Sequence, residues 1–195
     1  TKVADTNDGV CNADCSLREA IAAAAGSGDT IVFADAIEDG SILLGSELVI
    51  NKSVTIDNSN HVGNVYLDAD WDHRIFSVNP GKWLTLKHLV LKYGQTHESN
   101  YGGMILNNGG TVTIYDSQLG NGGSWRGAVY NETGGTLNVY NTRFASLMAA
   151  GNINGKGGAI YNKGSVNLYN SFFESCFADT FGGAIYNEGT LFADA

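Results

Sequence analysis

The sequence predicts an all-β fold, a β-solenoid of stacked parallel strands with one short α-helix at its N-terminal end. Three observations carry that expectation. The first is literal repetition: "GGAIYN" stands at 157–162 and again at 182–187, with "GGMILN" (102–107) and "RGAVYN" (126–131) as variants. Behind them four segments align without gaps, "LTLKHLVL" (84–91), "VTIYDSQL" (112–119), "LNVYNTRF" (137–144) and "VNLYNSFF" (166–173), with "VTIDN" (54–58) fitting above them and "LFADA" (191–195) starting the next copy. Their starts lie 30, 28, 25, 29 and 25 residues apart, and a period of roughly 20–50 residues is the signature of a solenoid. The second observation is alternation inside each copy. Val112 and Ile114 alternate with Thr113 and Tyr115, and Val166 and Leu168 with Asn167 and Tyr169, which is the period of a strand and not of a helix. The third is punctuation by Gly and Asn in "NPGK", "NNGG", "NETGG", "NKG" and "NEG", one before each of the last five segments.

Taken in chain order, residues 1–28 read as an N-terminal loop and a capping helix. Cys11 and Cys15 are four apart in a polar loop with no further metal ligands close by, which favours a disulfide, and with it an oxidising compartment, over zinc. Cys176, inside "FESCF", reads as a small buried hydrophobe. Ser16 and Glu19 form an S-x-x-E capping box, Leu17, Ile21 and Ala24 share one helical face, and Gly26 can end the helix. Residues 16–25 are therefore expected to cover the open apolar end of the stack. Residues 29–195 read as about seven rungs spaced by about 4.8 Å. The expected inward columns are Ile56/Leu86/Ile114/Val139/Leu168 and Leu91/Leu119/Phe144/Phe173. Two polar columns, Asn58/His88/Asp116/Asn141/Asn170 and Asn107/Asn131/Asn162/Asn187, suit left-handed turn geometry and amide-to-amide hydrogen bonding. The chain starts at Thr1 and stops in mid-rung, as a mature or excised piece of something larger would, with the far edge uncovered.

Composition narrows the partners. The 195 residues carry a formal charge of −9, which argues against nucleic acid and anionic membrane surfaces, since both select basic patches. No apolar run approaches the roughly 18 residues that span a bilayer, so no membrane insertion by this chain is expected. Gly is abundant at 26 while Pro occurs once, unlike a disordered linker.

A resemblance follows from particular stretches. "ADTNDGVCNADCSLREAIAAA" (4–24), "GDTIVF" (28–33) and "LVINKSVTID" (48–57) resemble the CSLREA-type start of bacterial cell-surface proteins. The "GGAIYN" copies resemble the GGA[IV] repeats of polymorphic outer-membrane and adhesin-like passenger proteins. Both resemblances imply a right-handed parallel β-helix exported to the cell surface. The repeats depart from that pattern at one place, where Leu147 and Cys176 replace the usual Asn after the aromatic residue.

The candidate sites are few. If Ile160 and Asn162 point inward, Tyr161 points outward, giving a column Tyr130/Tyr161/Tyr186, and the same parity gives Tyr115/Tyr140/Tyr169. Such ladders bind sugars, peptides or a partner face, or simply stabilise neighbouring strands. "YLDADWDHR" (66–74) gathers Asp68, Asp70, Asp72, His73 and Arg74, the ingredients of a pectate-lyase-like site, but along one stretch and not across rungs; a solvated loop is the simpler reading. Asp57 and Lys87 suit a surface ion pair. Asp5, Asn7, Asp8 and Asp14 are a weak calcium candidate, since the Gly falls one place early for an EF-hand loop and no twelfth-position Glu follows; otherwise no cofactor is called for. The expected function is a non-enzymatic, extracellular module of the bacterial cell surface, acting in adhesion or attachment to a surface glycan or protein. Two alternatives stand beside it: a structural subunit that stacks head-to-tail on copies of itself into a surface filament or sheath, and a polysaccharide lyase or hydrolase.

Overall fold

The structure, a computed structural model, describes residues 2–96, 101–150 and 155–194. The solenoid expected from the repeat is what the chain forms: three parallel sheets, each rung giving one strand to each in turn. The first sheet holds Ser27–Val32, Ser53–Asp57, Trp83–Lys87, Thr111–Tyr115, Thr136–Tyr140, Ser165–Tyr169 and Thr190–Asp194. The second holds Ser41–Leu43, Val65–Asp68, Leu89–Lys92, Gln118–Ser124, Arg143–Ala149 and Phe172–Glu174, with Phe177–Ala178 also paired to Arg143–Ala149. The third holds Leu48–Ile50, Phe76–Val78, Ile105–Asn107, Val129–Asn131, Ile160–Asn162 and Ile185–Asn187. Six turns are complete, and Thr190–Asp194 begins a seventh.

Register follows the repeat residue for residue. Ile56, Leu86, Ile114, Val139 and Leu168 are successive partners, as are Leu91, Leu119, Phe144 and Phe173. The first column is buried throughout, and the rings of Phe144 and Phe173 stack at 4.8 Å in the second. With side chains alternating across each strand, one residue of slippage would turn this whole apolar set to water, so the register is strongly specified.

The two Asn columns do different jobs. His88, Asp116, Asn141 and Asn170 adopt left-handed backbone (φ 52°, 48°, 48° and 46°), while Asn58, the first of that column, does not. Asn141 donates to Asp116 at 3.0 Å and Asn170 to Asn141 at 2.9 Å, so this ladder is exposed and turn-forming. Asn107, Asn131, Asn162 and Asn187 have ordinary strand backbone instead, and the first three are fully buried. Their amides run as a chain of 2.7, 2.8 and 2.7 Å hydrogen bonds from rung to rung. Each also closes its own turn, as where Asn107 accepts from the Gly110 N–H at 2.9 Å and donates to the Gly110 carbonyl at 3.0 Å. A buried amide satisfied on every side stabilises the stack, whereas the same group left unpaired costs about 1–3 kcal/mol.

The paired glycines of "GGAIYN" have separate reasons to be glycine. Gly157 and Gly182 take φ of 65° and 63°, the left-handed region that glycine enters without a Cβ penalty. Gly158 follows, and a Cβ there would collide with the carbonyl oxygens of Gly183 and Phe177. The repeated hexapeptide is thus turn and close backbone contact, then core, then amide ladder.

A second left-handed column was not legible in the sequence. Trp71, Tyr93, Asn121, Ser146 and Ser175 have φ of 62°, 57°, 52°, 53° and 50°. Trp71 donates its N–H to the Tyr93 carbonyl at 2.8 Å and Tyr93 to that of Asn121 at 3.0 Å, and the Gln118–Ser124/Arg143–Ala149 pairing skips Asn121 and Ser146. Five successive rungs bend at this point.

At the N-terminal end the helix spans Leu17–Ala23, with Ser16 as N-cap and the capping box formed in both directions. The Ser16 N–H donates to Glu19 at 2.7 Å and the Glu19 N–H to the Ser16 hydroxyl at 3.1 Å. Leu17, Ile21 and Ala24 are buried in the same apolar cluster as Ile31, Phe33 and Ile42, so the helix covers the first rung as expected. The Cys11–Cys15 disulfide is formed and braces the preceding loop. Cys176 is half-buried against the core, and burial raises its thiol pKa. No helix among the described residues is long and apolar enough to cross a membrane.

Candidate functional site on the outer faces of the solenoid

Parity assigns both tyrosine columns to the outside of the coil, and the structure separates them. In the first sheet Tyr115, Tyr140 and Tyr169 are register partners, their rings stacked at 4.7 and 4.8 Å with interplanar angles of 12° and 2°. All three are half-buried: Tyr140 lies between the other two rings, and Tyr169 also meets Phe192 at 5.6 Å. The column continues to Lys87, whose ammonium lies 3.0 Å from Asp57 as anticipated. Beside it runs a polar column in which Asn138 donates to Thr113 at 3.4 Å and Asn167 to Asn138 at 2.9 Å. The result is a flat, regular strip of hydroxyls, amides and aromatic edges.

The third-sheet column departs from the open ladder the sequence suggests. Ile160 and Asn162 do point inward, but Tyr130 and Tyr161 are each only 1% exposed, and Tyr186 is half-buried. The reason is a second layer laid over the sheet. Tyr101 stacks on Tyr130 at 4.9 Å, Tyr130 on Tyr161 at 5.0 Å, and Tyr186 continues at 5.0 Å. The Arg126 guanidinium sits 4.6 Å from the Tyr101 ring centre and 5.3 Å from that of Tyr161, and the Lys156 ammonium 4.5 Å from that of Tyr186. Tyr161 donates its hydroxyl to Glu188 at 2.8 Å. Burial, and then that carboxylate partner, push the Tyr161 phenol well above its usual range. Burial likewise raises Tyr130, with the charge of Glu132 adding to it. Cation and ring faces attract, more strongly once desolvated, so this column is the inside of a covered seam and offers no ladder to a ligand.

The acidic stretch at 66–74 is engaged in the scaffold. Asp68 pairs with Lys92 at 3.1 Å and accepts from the Asp70 N–H at 2.9 Å. His73 sits between the carbonyls of Arg74 (2.7 Å) and Leu44 (2.9 Å), and Arg74 pairs with Glu47 at 3.1 Å while donating to the Tyr101 and Gly102 carbonyls. Of the calcium candidates, Asp5 is held by Arg18 at 2.7 Å and by the Gly45 N–H at 2.8 Å. Asp8 accepts from the Val10 N–H at 2.8 Å, Asp14 pairs with Lys2 at 2.7 Å, and Asn7 lines a small hollow beside Arg18. Among the described residues no group of three His, Cys, Asp or Glu converges as metal ligands would.

Two concave places were missed. A polar groove of about 350 Å³ runs between the first and second sheets past His88, Asp116, Gln118, Asn141 and Arg143. Its groups are tied to one another and to neighbours, Asp116 to Asn141, His88 to Ser59 and Arg143 to Glu174. A second cleft of about 400 Å³, partly apolar, opens along the bend of the second sheet and includes Trp71 and Trp125. The sequence treats Trp71 as a bystander in an acidic stretch; only the fold brings it near Trp125, 54 positions away by number (125 − 71).

Comparison of the chain with family models, with curated proteins and with solved structures gives no match.

Proposed function

We propose that the chain is a non-enzymatic binding module of a bacterial cell surface, acting in adhesion or attachment, with the first-sheet strip as its contact face. The observation that carries this reading is the open ladder Tyr115/Tyr140/Tyr169, in register across three rungs with its edges in water. Rigid aromatic rings with a polar tip give large contact at little entropic cost. A parallel stack supplies them at one fixed spacing, suited to a repeating glycan or an extended protein segment. The acidic charge of −9 agrees with partners other than nucleic acid or anionic lipid. The engagement of Asp68, His73 and Arg74 in scaffold contacts favours binding over lyase or hydrolase chemistry.

The test is adhesion of the purified chain to intact cells and to immobilised surface polysaccharide. Replacing the ladder (Tyr115→Ser, Tyr140→Ser, Tyr169→Ser together) is expected to lower retention about tenfold or more, since aromatic anchors carry most contact energy. Unchanged retention by a folded triple variant would refute the assignment of this face.

Head-to-tail stacking is a second reading with its own observation. Among the described strands Thr190–Asp194 pairs with Ser165–Tyr169 on one side and ends the sheet, and Leu191 and Phe192 are 38% and 49% exposed. An unpaired strand edge invites another strand, whether from a second copy or from further chain. Light scattering that grows with concentration, together with filaments by negative stain, would favour the filament reading over adhesion.

A further inference from the structure

The cleft along the bend of the second sheet is a different place from the tyrosine strip, and its chemistry points to a ligand class. Its floor is a column of register partners, Gln95, Gly123, Met148 and Phe177. Gly123 is buried, and a Cβ there would collide with the Met148 carbonyl oxygen, so the two strands approach closely at the middle of this floor. Trp71 and Trp125 line the same cleft. Trp71 is 46% exposed, and its ring is braced by Tyr93 at 5.2 Å. It also holds a left-handed backbone at φ 62°, a costly conformation for a bulky residue. Asn121, Ser146 and Ser175 occupy the same column with small side chains, so the fold does not require an indole there. Strain of this kind clusters at functional sites.

Charge decides the class. None of the thirteen described residues that line it is Asp, Glu, Lys, Arg or His. What the cleft presents is aromatic surface (Trp71, Trp125, Phe177) interleaved with neutral hydrogen-bonding groups (Gln95, Ser146, Ser175). The side chains of those three polar residues make no hydrogen bond within the described chain, which leaves them for a ligand. At about 400 Å³ the cleft falls in the range of small-molecule sites, roughly 300–1,000 Å³, where apolar walls with a few placed polar groups are the rule.

We infer that this cleft binds a neutral saccharide, one or two pyranose rings laid on the indoles with hydroxyls meeting Gln95, Ser146 and Ser175. A uronic or sialic acid finds no cation among the described lining residues to meet its carboxylate, and a purely apolar ligand would bury the amide and hydroxyls unpaired. The site does not depend on the adhesion reading, because the tyrosine strip contributes nothing to it.

The three tryptophans make it measurable. In a Trp83→Phe background the fluorescence comes from Trp71 and Trp125 alone. Titration with cellotetraose, chitotetraose and β-1,4-galactotetraose should give a saturable change for at least one of them, insensitive to salt, and none for tetragalacturonate. Trp71→Ala should weaken that binding about tenfold or more. Met148→Glu, a change at an exposed position, should abolish it while circular dichroism stays that of the parent, and Tyr140→Ser should leave it unchanged. The proposal is overturned if no neutral oligosaccharide gives a saturable change, or if tetragalacturonate binds as well. It is equally overturned by undiminished binding in folded Met148→Glu, or by saturable binding of an uncharged peptide with none of the sugars.

Discussion

Two tyrosine columns with the same parity in the sequence meet opposite fates. Tyr115, Tyr140 and Tyr169 stand on a sheet whose outer face carries no covering layer among the described residues; their rings stack on one another, Tyr169 meets Phe192 on the next strand at 5.6 Å, and their edges reach water. Tyr130 and Tyr161 stand on a sheet over which Tyr101, Arg126 and Lys156 are folded, and they are buried as fully as the core. Pointing away from the axis of a solenoid is therefore not the same as reaching solvent. Strand alternation decides which side of the sheet a residue occupies, and the connections between rungs decide whether that side is wet.

The contrast is quantitative, and the largest effect should come from truncating a covered ring. Tyr161→Ala removes a ring stacked on both sides and is expected to cost about 3–5 kcal/mol, in line with large-to-small core substitutions. Tyr140→Ala should cost under about 1 kcal/mol, the scale of a cross-strand pair. Urea unfolding of the two variants reads the difference, and equal costs would erase the distinction between the columns. Next in size is Asn131→Ala, in the amide ladder beneath the covered seam. It removes the acceptor of Asn107 and the donor to Asn162 and should cost about 1–3 kcal/mol. In the exposed ladder Asn141→Ala should cost less, because water replaces the lost partner.

A pH experiment sharpens the same comparison. The Tyr161 phenol is raised by burial first and by the Glu188 carboxylate second. The folded state thus holds that proton more tightly than the unfolded chain does. Its contribution is whole below the ordinary tyrosine value of about 10, and is lost as pH rises from there toward the folded value. Stability should fall above about pH 10, and Tyr161→Phe should flatten that fall. Glu19 has the opposite sign. The backbone N–H groups of Ser16 and Asp8 hold its carboxyl below the usual range, so its contribution is present above about pH 4.3 and lost as pH drops further. At the helix start Ser16→Ala should cost about 0.5–2 kcal/mol, seen as earlier fraying of the cap by hydrogen exchange.

The legibility of this chain divides along the same line. Rungs, inward columns and both Asn columns could be read from the sequence because a parallel in-register stack sets like residue on like, and repetition in the sequence becomes proximity in space. Ile114 meets Leu86 and Val139 for no other reason. The helix cap was legible because Ser16 and Glu19 interact within one turn. The covered seam was not. Arg126 and Lys156 lie in connections of unequal length, and nothing in the alternation of "AIYN" says that a guanidinium will lie over it. The bend of the second sheet escaped for a different reason: Trp71, Tyr93, Asn121, Ser146 and Ser175 share a backbone angle but no chemistry, so no repeat betrays them. The cleft built on that bend escaped with it.

The most direct test of the division between open and covered aromatic faces is mild nitration of the native chain with tetranitromethane, mapped by mass spectrometry. Tyr115, Tyr140 and Tyr169 are expected to react early, while Tyr130 and Tyr161 are spared until the chain unfolds. Nitration of Tyr130 and Tyr161 at the rate of the first-sheet ladder, in protein that is still folded, would contradict it.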